Sequence, residues 1–180
     1  MTTTIVWLRR DLRLDEQPAL QAAVERGNPI LPLFIWAPNE EAPWQPGAAS
    51  RWWLHHSLTS LATEFESRGS RLLLRSGATK EVLDQFIDEY DVSAVYWNRR
   101  YEPGIIKRDK EIKTEIQNAG IHVESFNGSL LNEPWEVLKK DGTPYQVYTP
   151  YWKKARLKID TTGLDKRIII SPPPNKLIAG

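Results

Sequence analysis

The chain of 180 residues contains no cysteine. This absence excludes a disulfide framework, thiol catalysis and metal sites built on thiolates. An excess of one charge is also missing, because 24 basic residues face 23 acidic ones and the formal net charge is +1. Without a global basic field, the composition does not favour nucleic-acid binding by this chain alone.

Targeting and membrane signals are missing too. The amino terminus has neither a basic segment nor a long apolar run, so we predict no signal peptide and no membrane span. We therefore expect a cytoplasmic location. His55 and His56 are adjacent on a predicted helix and point in different directions, and His122 is remote in sequence, so we predict no metal site.

The first apolar run of the chain ends abruptly in charges. Ile5 to Leu8 is typical of a buried parallel strand, and Arg9, Arg10, Asp11 and Arg13 follow it closely. Ligand crevices of open α/β sheets form at the carboxyl ends of strands, so this position favours a ligand-binding loop. A solvated, salt-bridged turn is the alternative that the pattern leaves open.

Strand-like runs and amphipathic segments alternate along the first two thirds of the chain. This alternation predicts an α/β fold, a Rossmann-like doubly wound five-stranded parallel sheet with helices on both faces. Thr79 is the predicted N-cap of the third helix. The runs are Ile5 to Leu8, Ile30 to Trp36 (with Pro32 as a strand start or a ladder irregularity), Arg71 to Arg75, Val92 to Trp97 and Ile121 to Ser125. The first strand is not followed by Gly-x-Gly-x-x-Gly, and a Walker loop is also missing, which disfavours dinucleotide binding of the usual kind and nucleoside triphosphate hydrolysis.

The pattern changes near residue 130, and we predict an α/β domain over 1–130 and a connector over 131–180. The connector is rich in aromatic residues and proline, which argues against a single regular element. Residues 135–139 are predicted to form a helical turn. Ser171-Pro172-Pro173-Pro174 is typical of an extended linker in polyproline geometry.

Several motifs, in family order over about residues 4 to 153, resemble the photolyase/cryptochrome family, specifically its amino-terminal α/β domain. They are Trp7-Leu8-Arg9-Arg10-Asp11-Leu12-Arg13-Leu14, Pro18-Ala19-Leu20, Arg51-Trp52-Trp53-Leu54, Tyr96-Trp97-Asn98-Arg99-Arg100-Tyr101-Glu102-Pro103, Arg108-Asp109, and Pro144-Tyr145-Gln146-Val147-Tyr148-Thr149-Pro150-Tyr151-Trp152-Lys153.

The resemblance implies a deoxyribodipyrimidine photolyase, which repairs ultraviolet-induced pyrimidine dimers in DNA with light and reduced FAD. A cryptochrome blue-light receptor, a stand-alone nucleotide- or pterin-binding module and a scaffold that docks a partner protein are the alternatives. In the family, FAD and damaged DNA belong to a larger helical domain, which would follow residue 180. The resemblance therefore implies no catalytic residue in this chain, which would instead hold an antenna chromophore, a folate or a deazaflavin.

The resemblance also implies which residues hold that chromophore. Arg51, with Ile35 and Trp52 as neighbours, matches the pocket of deazaflavin-binding relatives, as does Arg108. Arg100 stands where deazaflavin binders tend to have an aspartate, so the resemblance favours methenyltetrahydrofolate over a deazaflavin as the antenna. The full set of expected cofactor-binding residues is Ile35, Trp36, Arg51, Trp52, Asn98, Arg100, Glu102 and Arg108.

Glu102 matches a glutamate of the folate-binding relatives. A carboxylate can accept two hydrogen bonds from the amino-pyrimidine edge of a pterin. The alternative is a structural role, since a negative charge before Pro103 stabilises the helix that begins there. For the first loop, we expect Asp11 to pair with one of the arginines and to fix the loop against the following domain, with phosphate contact as the alternative role of the charged cluster.

Overall fold

The computed structural model describes residues 2–158 of the chain. A first compact unit ends at Gly128, and a second begins at Ser129. Within the described residues the first unit contains five parallel strands in the order β3-β2-β1-β4-β5. The strands are β1 (Thr3–Leu8), β2 (Ile30–Trp36), β3 (Leu73–Ser76), β4 (Val92–Asn98) and β5 (His122–Phe126). The helices between them are α1 (Pro18–Arg26), α2 (Ala48–Ser67), α3 (Thr79–Glu89) and α4 (Pro103–Asn118), with a 3₁₀ turn at Pro38–Glu41.

Two apolar layers enclose the sheet, one on each face. Helices α1 and α2 form one layer, in which Leu20 and Phe65 are fully buried. Helices α3 and α4 form the other, with Leu83 and Ile112 in its core. Because side chains alternate along a strand, β1 supplies both layers, and this explains its continuous apolar run. The predicted doubly wound fold is confirmed.

Proline and threonine positions refine the predicted elements. Pro32 lies inside β2 and pairs with β1, whereas the pairing with β3 begins one residue later, at Leu33. The backbone N–H that proline lacks therefore does not interrupt the ladder between β2 and β3. Strand β3 is four residues long and begins at Leu73, two residues later than predicted. The predicted cap was wrong: Ala78, with extended backbone, is the N-cap of α3, and Thr79 is its first residue. Both the N–H and the hydroxyl of Thr79 donate to Glu40.

The second unit contains a helix that the sequence pattern did not reveal. Helix α5 covers Tyr148–Ala155, with Pro150 in its first turn and Lys153 and Lys154 in its last. These are favourable positions for a proline and for basic residues, and they were the available signal. The helical turn predicted at 135–139 is displaced: a turn closed by the bond from the N–H of Glu136 to the carbonyl of Glu133, at 3.0 Å, spans residues 133–136, and Leu138 forms an isolated bridge with Pro144. The predicted proline linker at 171–174 lies outside the described residues. No helix within residues 2–158 has the length and apolar character needed to cross a bilayer.

Candidate functional site

A crevice of about 960 Å³ lies at the carboxyl-end edge of the sheet in the first unit. Its walls include Arg9 after β1, Trp36 at the end of β2 and Arg100 after β4. Strands β2 and β3 lie on one side of β1, and β4 and β5 lie on the other, so the order of the strands reverses here. Such a reversal opens a gap between two diverging loops, which is where open α/β sheets bind ligands. The first turns of α2 and the segment 37–47 complete the walls.

Arg9 is a buried charge at the base of the crevice. Its side chain is 4% exposed, and its guanidinium donates to the Asp109 carboxylate and to the backbone carbonyl of Asn98. Burial lowers the pKa of Arg9, and the charge and hydrogen bond of Asp109 act in the opposite direction. The sequence predicts the charge of Arg9 after β1, and in the fold the carboxylate of Asp109, on α4, forms an ion pair with it.

Trp7 packs against two of these guanidiniums. The Cζ atoms of Arg9 and Arg108 lie 4.8 and 5.1 Å from the centroid of the indole ring. Trp97 contacts the same ring edge-on, at a centroid distance of 5.6 Å. Trp7 is 2% exposed, and the two guanidiniums and Trp97 contact its buried ring.

Arg108 connects the 3₁₀ turn to α4. Its guanidinium donates to Glu40 at 2.6 Å and to Asp109 at 2.6 Å. Glu40 also accepts hydrogen bonds from Thr79, from the N–H at 2.6 Å and from the hydroxyl at 2.7 Å. One glutamate therefore joins the segment after β2 to the first turn of α3 and to α4.

A second ion-pair cluster lies closer to solvent. Arg100 contacts Glu41 at 2.7 Å and Glu102 at 2.8 Å, and Arg10 contacts Glu102 at 2.9 Å. The hydrogen bond from Arg100 lowers the pKa of Glu102 to about 2. Burial tends to raise the pKa of Glu41, but the hydrogen bonds and charges of Arg100 and Arg10 outweigh it, and that pKa is also lowered.

Arg13 is the crevice arginine whose charge is not neutralised by a carboxylate within residues 2–158. Its guanidinium donates to the backbone carbonyls of Glu16, at 3.0 Å, and Gly128, at 2.8 Å. The side chain is exposed and lines the crevice. Arg13 therefore offers a positive charge to an anionic group at the crevice rim.

Asn98 fastens three segments of the first unit together. Its amide donates to Asp11 at 2.6 Å and accepts from the N–H of Ala19 at 3.2 Å. Gly128 packs so closely on Asn98 that a Cβ atom at that position would lie 2.6 Å from the Asn98 amide. The buried side chain of Asn98, at the end of β4, thus joins the loop after β1 to α1 and packs against the segment after β5.

Comparison with known proteins assigns this architecture. The DNA photolyase family model matches residues 4–173. The chain belongs to the DNA photolyase family. It is 42% identical to the deoxyribodipyrimidine photo-lyase of Agrobacterium fabrum over 97% of the chain and 35% of that protein. It is 39% identical to Cryptochrome-2 of Arabidopsis thaliana over 97% of the chain and 28% of that protein.

Solved structures lead to the same assignment. The structure of a bacterial class III photolyase from Agrobacterium tumefaciens matches with a TM-score of 0.84 and 38% identity, over 97% of this chain and 36% of that one. The chain thus has the amino-terminal α/β fold of photolyases and cryptochromes, and it spans about a third of the length of these relatives.

Four of the predicted cofactor-binding residues line the crevice. They are Ile35, Trp36, Arg100 and Arg108. Arg51 instead lines a neighbouring groove of about 450 Å³, between α2 and the edge strand β3, to which Phe34, Leu58 and Leu74 contribute. Trp36 borders both spaces, so the crevice and the groove are adjacent.

The other three predicted residues do not line the crevice in the described structure. Trp52 is 63% exposed and packs against the ring of His56. Asn98 is buried and bound as described above. Glu102 pairs with two crevice arginines. Its position before α4 also places its charge at the amino end of that helix, as the structural alternative expected.

The predicted pairing of Asp11 was wrong. Within residues 2–158 its carboxylate forms no ion pair with a guanidinium, and it accepts instead from the N–H of Arg9, from Gln17 and from Asn98. The bracing role falls to Arg9, whose partner Asp109 is 100 residues away. Sequence adjacency suggested the local pair, and the α4 carboxylate could not be placed without the fold.

The sequence reasoning also missed crevice residues on the segment 37–47 and on α2. Glu41, Trp44 and Trp53 all line the crevice. Trp53 belongs to the same family motif as Trp52, the residue that the resemblance implies for the pocket. Helical periodicity would have placed Trp53 on the same face as Ala49 and Ser57, which are four residues away on either side.

Proposed function

We propose that this chain is the light-harvesting domain of a deoxyribodipyrimidine photolyase and that the crevice holds its antenna chromophore. The observation that carries this proposal is a large crevice at the strand-order reversal of a photolyase-family domain. Its volume of about 960 Å³ suits a ligand of cofactor size. The chromophore, when bound, absorbs near-ultraviolet light and passes the excitation to FAD.

We assign FAD, the damaged DNA and the repair reaction to the part of the protein that the longer relatives contain and this chain does not. The chain covers 35% of the Agrobacterium fabrum photolyase, so most of such a protein would lie elsewhere. A blue-light receptor of the cryptochrome type is the second candidate, because Cryptochrome-2 is 39% identical and nearly as similar as the photolyase. A cytoplasmic location remains our prediction.

Charge favours methenyltetrahydrofolate over a deazaflavin as the chromophore. A folate carries a glutamate tail with carboxylates, and Arg13 offers a guanidinium that no described carboxylate neutralises. Arg10 lies nearby on the rim with its side chain 65% exposed. A charged hydrogen bond between such partners stabilises a complex by roughly 1.5–3 kcal/mol.

A pterin contact by Glu102 would require a rearrangement of the outer ion pairs. The Oε1 atom accepts from Arg100 at 2.8 Å and forms an ion pair with Arg10 at 2.9 Å, and the Oε2 atom accepts a longer bond from Arg100 at 3.3 Å. Arginine guanidiniums therefore already contact this carboxylate at both of its oxygens. Two hydrogen bonds to a pterin edge would displace one arginine, and the exposed Arg10 is the easier to displace.

A fluorescence and absorption titration of the chain with methenyltetrahydrofolate tests the proposal. We expect saturable but weak binding, because in the family the remaining protein would supply one wall of the pocket. Arg13→Gln is expected to weaken binding about tenfold, by the loss of one charged hydrogen bond. Arg26→Gln is the matched control, since Arg26 ends α1 and precedes β2 at the opposite edge of the sheet. Equal affinity of the two variants would contradict the role of Arg13, and absence of saturable binding would contradict the folate assignment.

A further inference from the structure

Glu41 is the acidic residue that lines the crevice within residues 2–158. Asp109, Glu40 and Glu102 neutralise crevice arginines, but the crevice walls do not include them. The other charged groups of the walls are guanidiniums, those of Arg9, Arg10, Arg13, Arg100 and Arg108. An anion that enters the crevice is therefore attracted by several arginines and meets one carboxylate, that of Glu41.

The carboxylate of Glu41 is bound to two of these arginines. Its Oε1 atom lies 2.7 Å from Arg100, and its Oε2 atom lies 3.3 Å from Arg10. The side chain of Arg100 is 11% exposed and that of Arg10 is 65% exposed, so the contacts of Glu41 extend from the crevice wall to its rim. Burial tends to raise the pKa of Glu41, but the two arginines outweigh it and lower that pKa, so the carboxylate is ionised at neutral pH.

The outer ion-pair cluster is electrically balanced before any ligand enters. The guanidiniums of Arg10 and Arg100 face the carboxylates of Glu41 and Glu102. A ligand carboxylate or phosphate that binds these arginines adds a third anionic group to a cluster with two cations. Like charges at such short distances repel one another, so one of the protein carboxylates has to withdraw.

Glu41 is the carboxylate that can withdraw more easily. Glu102 directly precedes α4 as its N-cap residue, where the amino end of the helix stabilises its charge. Glu41 is instead the last residue of the 3₁₀ turn. Its neighbour Glu40 is held by Thr79 and Arg108. The anchored glutamate and the movable one are thus adjacent in the chain.

The residues after Glu41 form part of the crevice wall and are hydrogen-bonded to the turn that it ends. The N–H of Trp44 donates to the backbone carbonyl of Glu41 at 2.8 Å, and the N–H of Ala42 donates to the carbonyl of Asn39 at 3.4 Å. Most of the segment 42–47 lines the crevice. Departure of Glu41 from the arginines would therefore loosen this segment.

We propose that Glu41 is an internal competitor for the anionic end of the crevice ligand. The carboxylate or phosphate of the ligand replaces Glu41 on Arg10 and Arg100, and the withdrawal of Glu41 loosens the segment 42–47. This inference rests on the proposed function, because it concerns how the chromophore site selects its ligand. A small anion exchanges one set of ion pairs for another and gains little, whereas a ligand with an additional ring gains contacts that Glu41 does not make. Glu41 thereby selects against small anions.

Competition predicts that removal of a charge strengthens binding. Glu41→Gln should bind anionic ligands about tenfold more tightly than wild type, since the ligand no longer has to displace a charged hydrogen bond. A ligand without an anionic group displaces nothing and should bind equally to both. Glu41→Asp keeps the charge but shortens the side chain by one methylene, so it also tightens anion binding if the direct contact, and not the general electrostatic field, is what competes.

The experiment is a set of titrations on the whole chain, with each variant checked for folding by circular dichroism. Wild type, Glu41→Gln, Glu41→Asp and the control Glu66→Gln are titrated with methenyltetrahydrofolate, inorganic pyrophosphate and unsubstituted pterin, which lacks an anionic tail. Glu66 is exposed on α2 and does not line the crevice, so its substitution makes the same change in net charge at a distant position. Hydrogen exchange followed by mass spectrometry measures the protection of the amides in the segment 42–47, with and without saturating pyrophosphate.

We expect about tenfold tighter binding of both anionic ligands to Glu41→Gln and a smaller gain for Glu41→Asp. Binding of pterin, and all binding by Glu66→Gln, should stay within twofold of wild type. Saturating pyrophosphate should accelerate amide exchange in the segment 42–47 of wild type and leave that of Glu41→Gln unchanged.

Equal or weaker anion binding by Glu41→Gln, or amide exchange in wild type that pyrophosphate does not accelerate, would overturn the inference and leave the proposed function standing. A gain in Glu41→Gln that Glu41→Asp does not share would assign the effect to the electrostatic field and overturn direct competition. Tighter pyrophosphate binding by Glu41→Gln without any binding of methenyltetrahydrofolate would support the competition and overturn the folate site. Absence of binding by all three ligands would overturn both.

Discussion

The ion pair between Arg9 and Asp109 provides the sharpest stability prediction for this fold. The side chains of Arg9 and Asp109 are 4% and 12% exposed, so both charges are withdrawn from water. Asp109→Asn keeps the shape of the side chain and removes its charge. The guanidinium of Arg9 then stays buried without its hydrogen-bonded counter-charge, and only the more weakly interacting Asp11 remains, since Arg9 cannot lose its proton at accessible pH.

The expected loss of unfolding free energy depends on the contacts that Arg9 keeps in this variant. Removal of one partner of a buried ion pair costs about 3–5 kcal/mol. Arg9 keeps its bond to the carbonyl of Asn98 and its contact with Trp7, and Arg108 keeps Glu40. We therefore expect a loss near the lower limit, about 3 kcal/mol, which corresponds to a fall in Tm of roughly 6–12 °C for a domain of this size.

Urea unfolding followed by circular dichroism measures this loss, with Asp88→Asn as the control because Asp88 is exposed on α3. The control should lie within about 0.5 kcal/mol of wild type. The double variant Arg9→Met/Asp109→Leu removes both charges and should regain most of the stability lost in Asp109→Asn. If Asp109→Asn lost less than about 1 kcal/mol, or if the double variant were less stable than the single one, the bracing role of Arg9 would be refuted.

Two further predictions concern the same edge of the sheet. Gly128→Ala should destabilise the chain by about 1–3 kcal/mol, because the new Cβ would meet the Asn98 amide at 2.6 Å while Asp11 and Ala19 hold that amide in place. Gly27→Ala is the control, since its Cβ would meet no atom within 4 Å but its φ is +80°, so urea unfolding of the two variants separates the steric effect from backbone strain. Equal losses of unfolding free energy would argue against the steric explanation. Arg100 lowers the pKa of Glu102 from 4.5 to about 2, so the stability that this carboxylate contributes is complete above pH 4.5 and disappears as the pH falls toward 2. Glu102→Gln should therefore flatten the dependence of unfolding free energy on pH in that window, and an unchanged curve would contradict the ion pair.

The sequence was sufficient for the fold because the signals that determine it are local. The apolar runs Ile30 to Trp36 and Val92 to Trp97 coincide with β2 and β4 to within one residue. The periodic apolar positions of α3 and α4 face the core as expected, with Leu83 and Ile112 buried. Short elements were harder: β3 has four residues, and its start is set by pairing with β2 rather than by its own composition.

The site was less predictable because it is assembled from residues that are far apart in sequence. Thr79 and Arg108 meet through Glu40, and Arg108 also pairs with Asp109, only once the segment after β2, α3 and α4 are folded together. Family resemblance placed Arg100 and Arg108 at the crevice, but it could not tell which of two adjacent tryptophans faces inward. That choice depends on the angular position of each residue on α2, and the structure points to Trp53.

A pair of blocking substitutions tests most directly whether the crevice holds the chromophore. Ser50 lines the crevice and Ser76 lines the neighbouring groove, and both are exposed, so Ser50→Trp and Ser76→Trp each fill one space with the same side chain. Titration with methenyltetrahydrofolate should show binding lost in Ser50→Trp and retained in Ser76→Trp. Retained binding in Ser50→Trp together with loss in Ser76→Trp would place the chromophore in the groove beside Arg51 and contradict the assignment of the crevice.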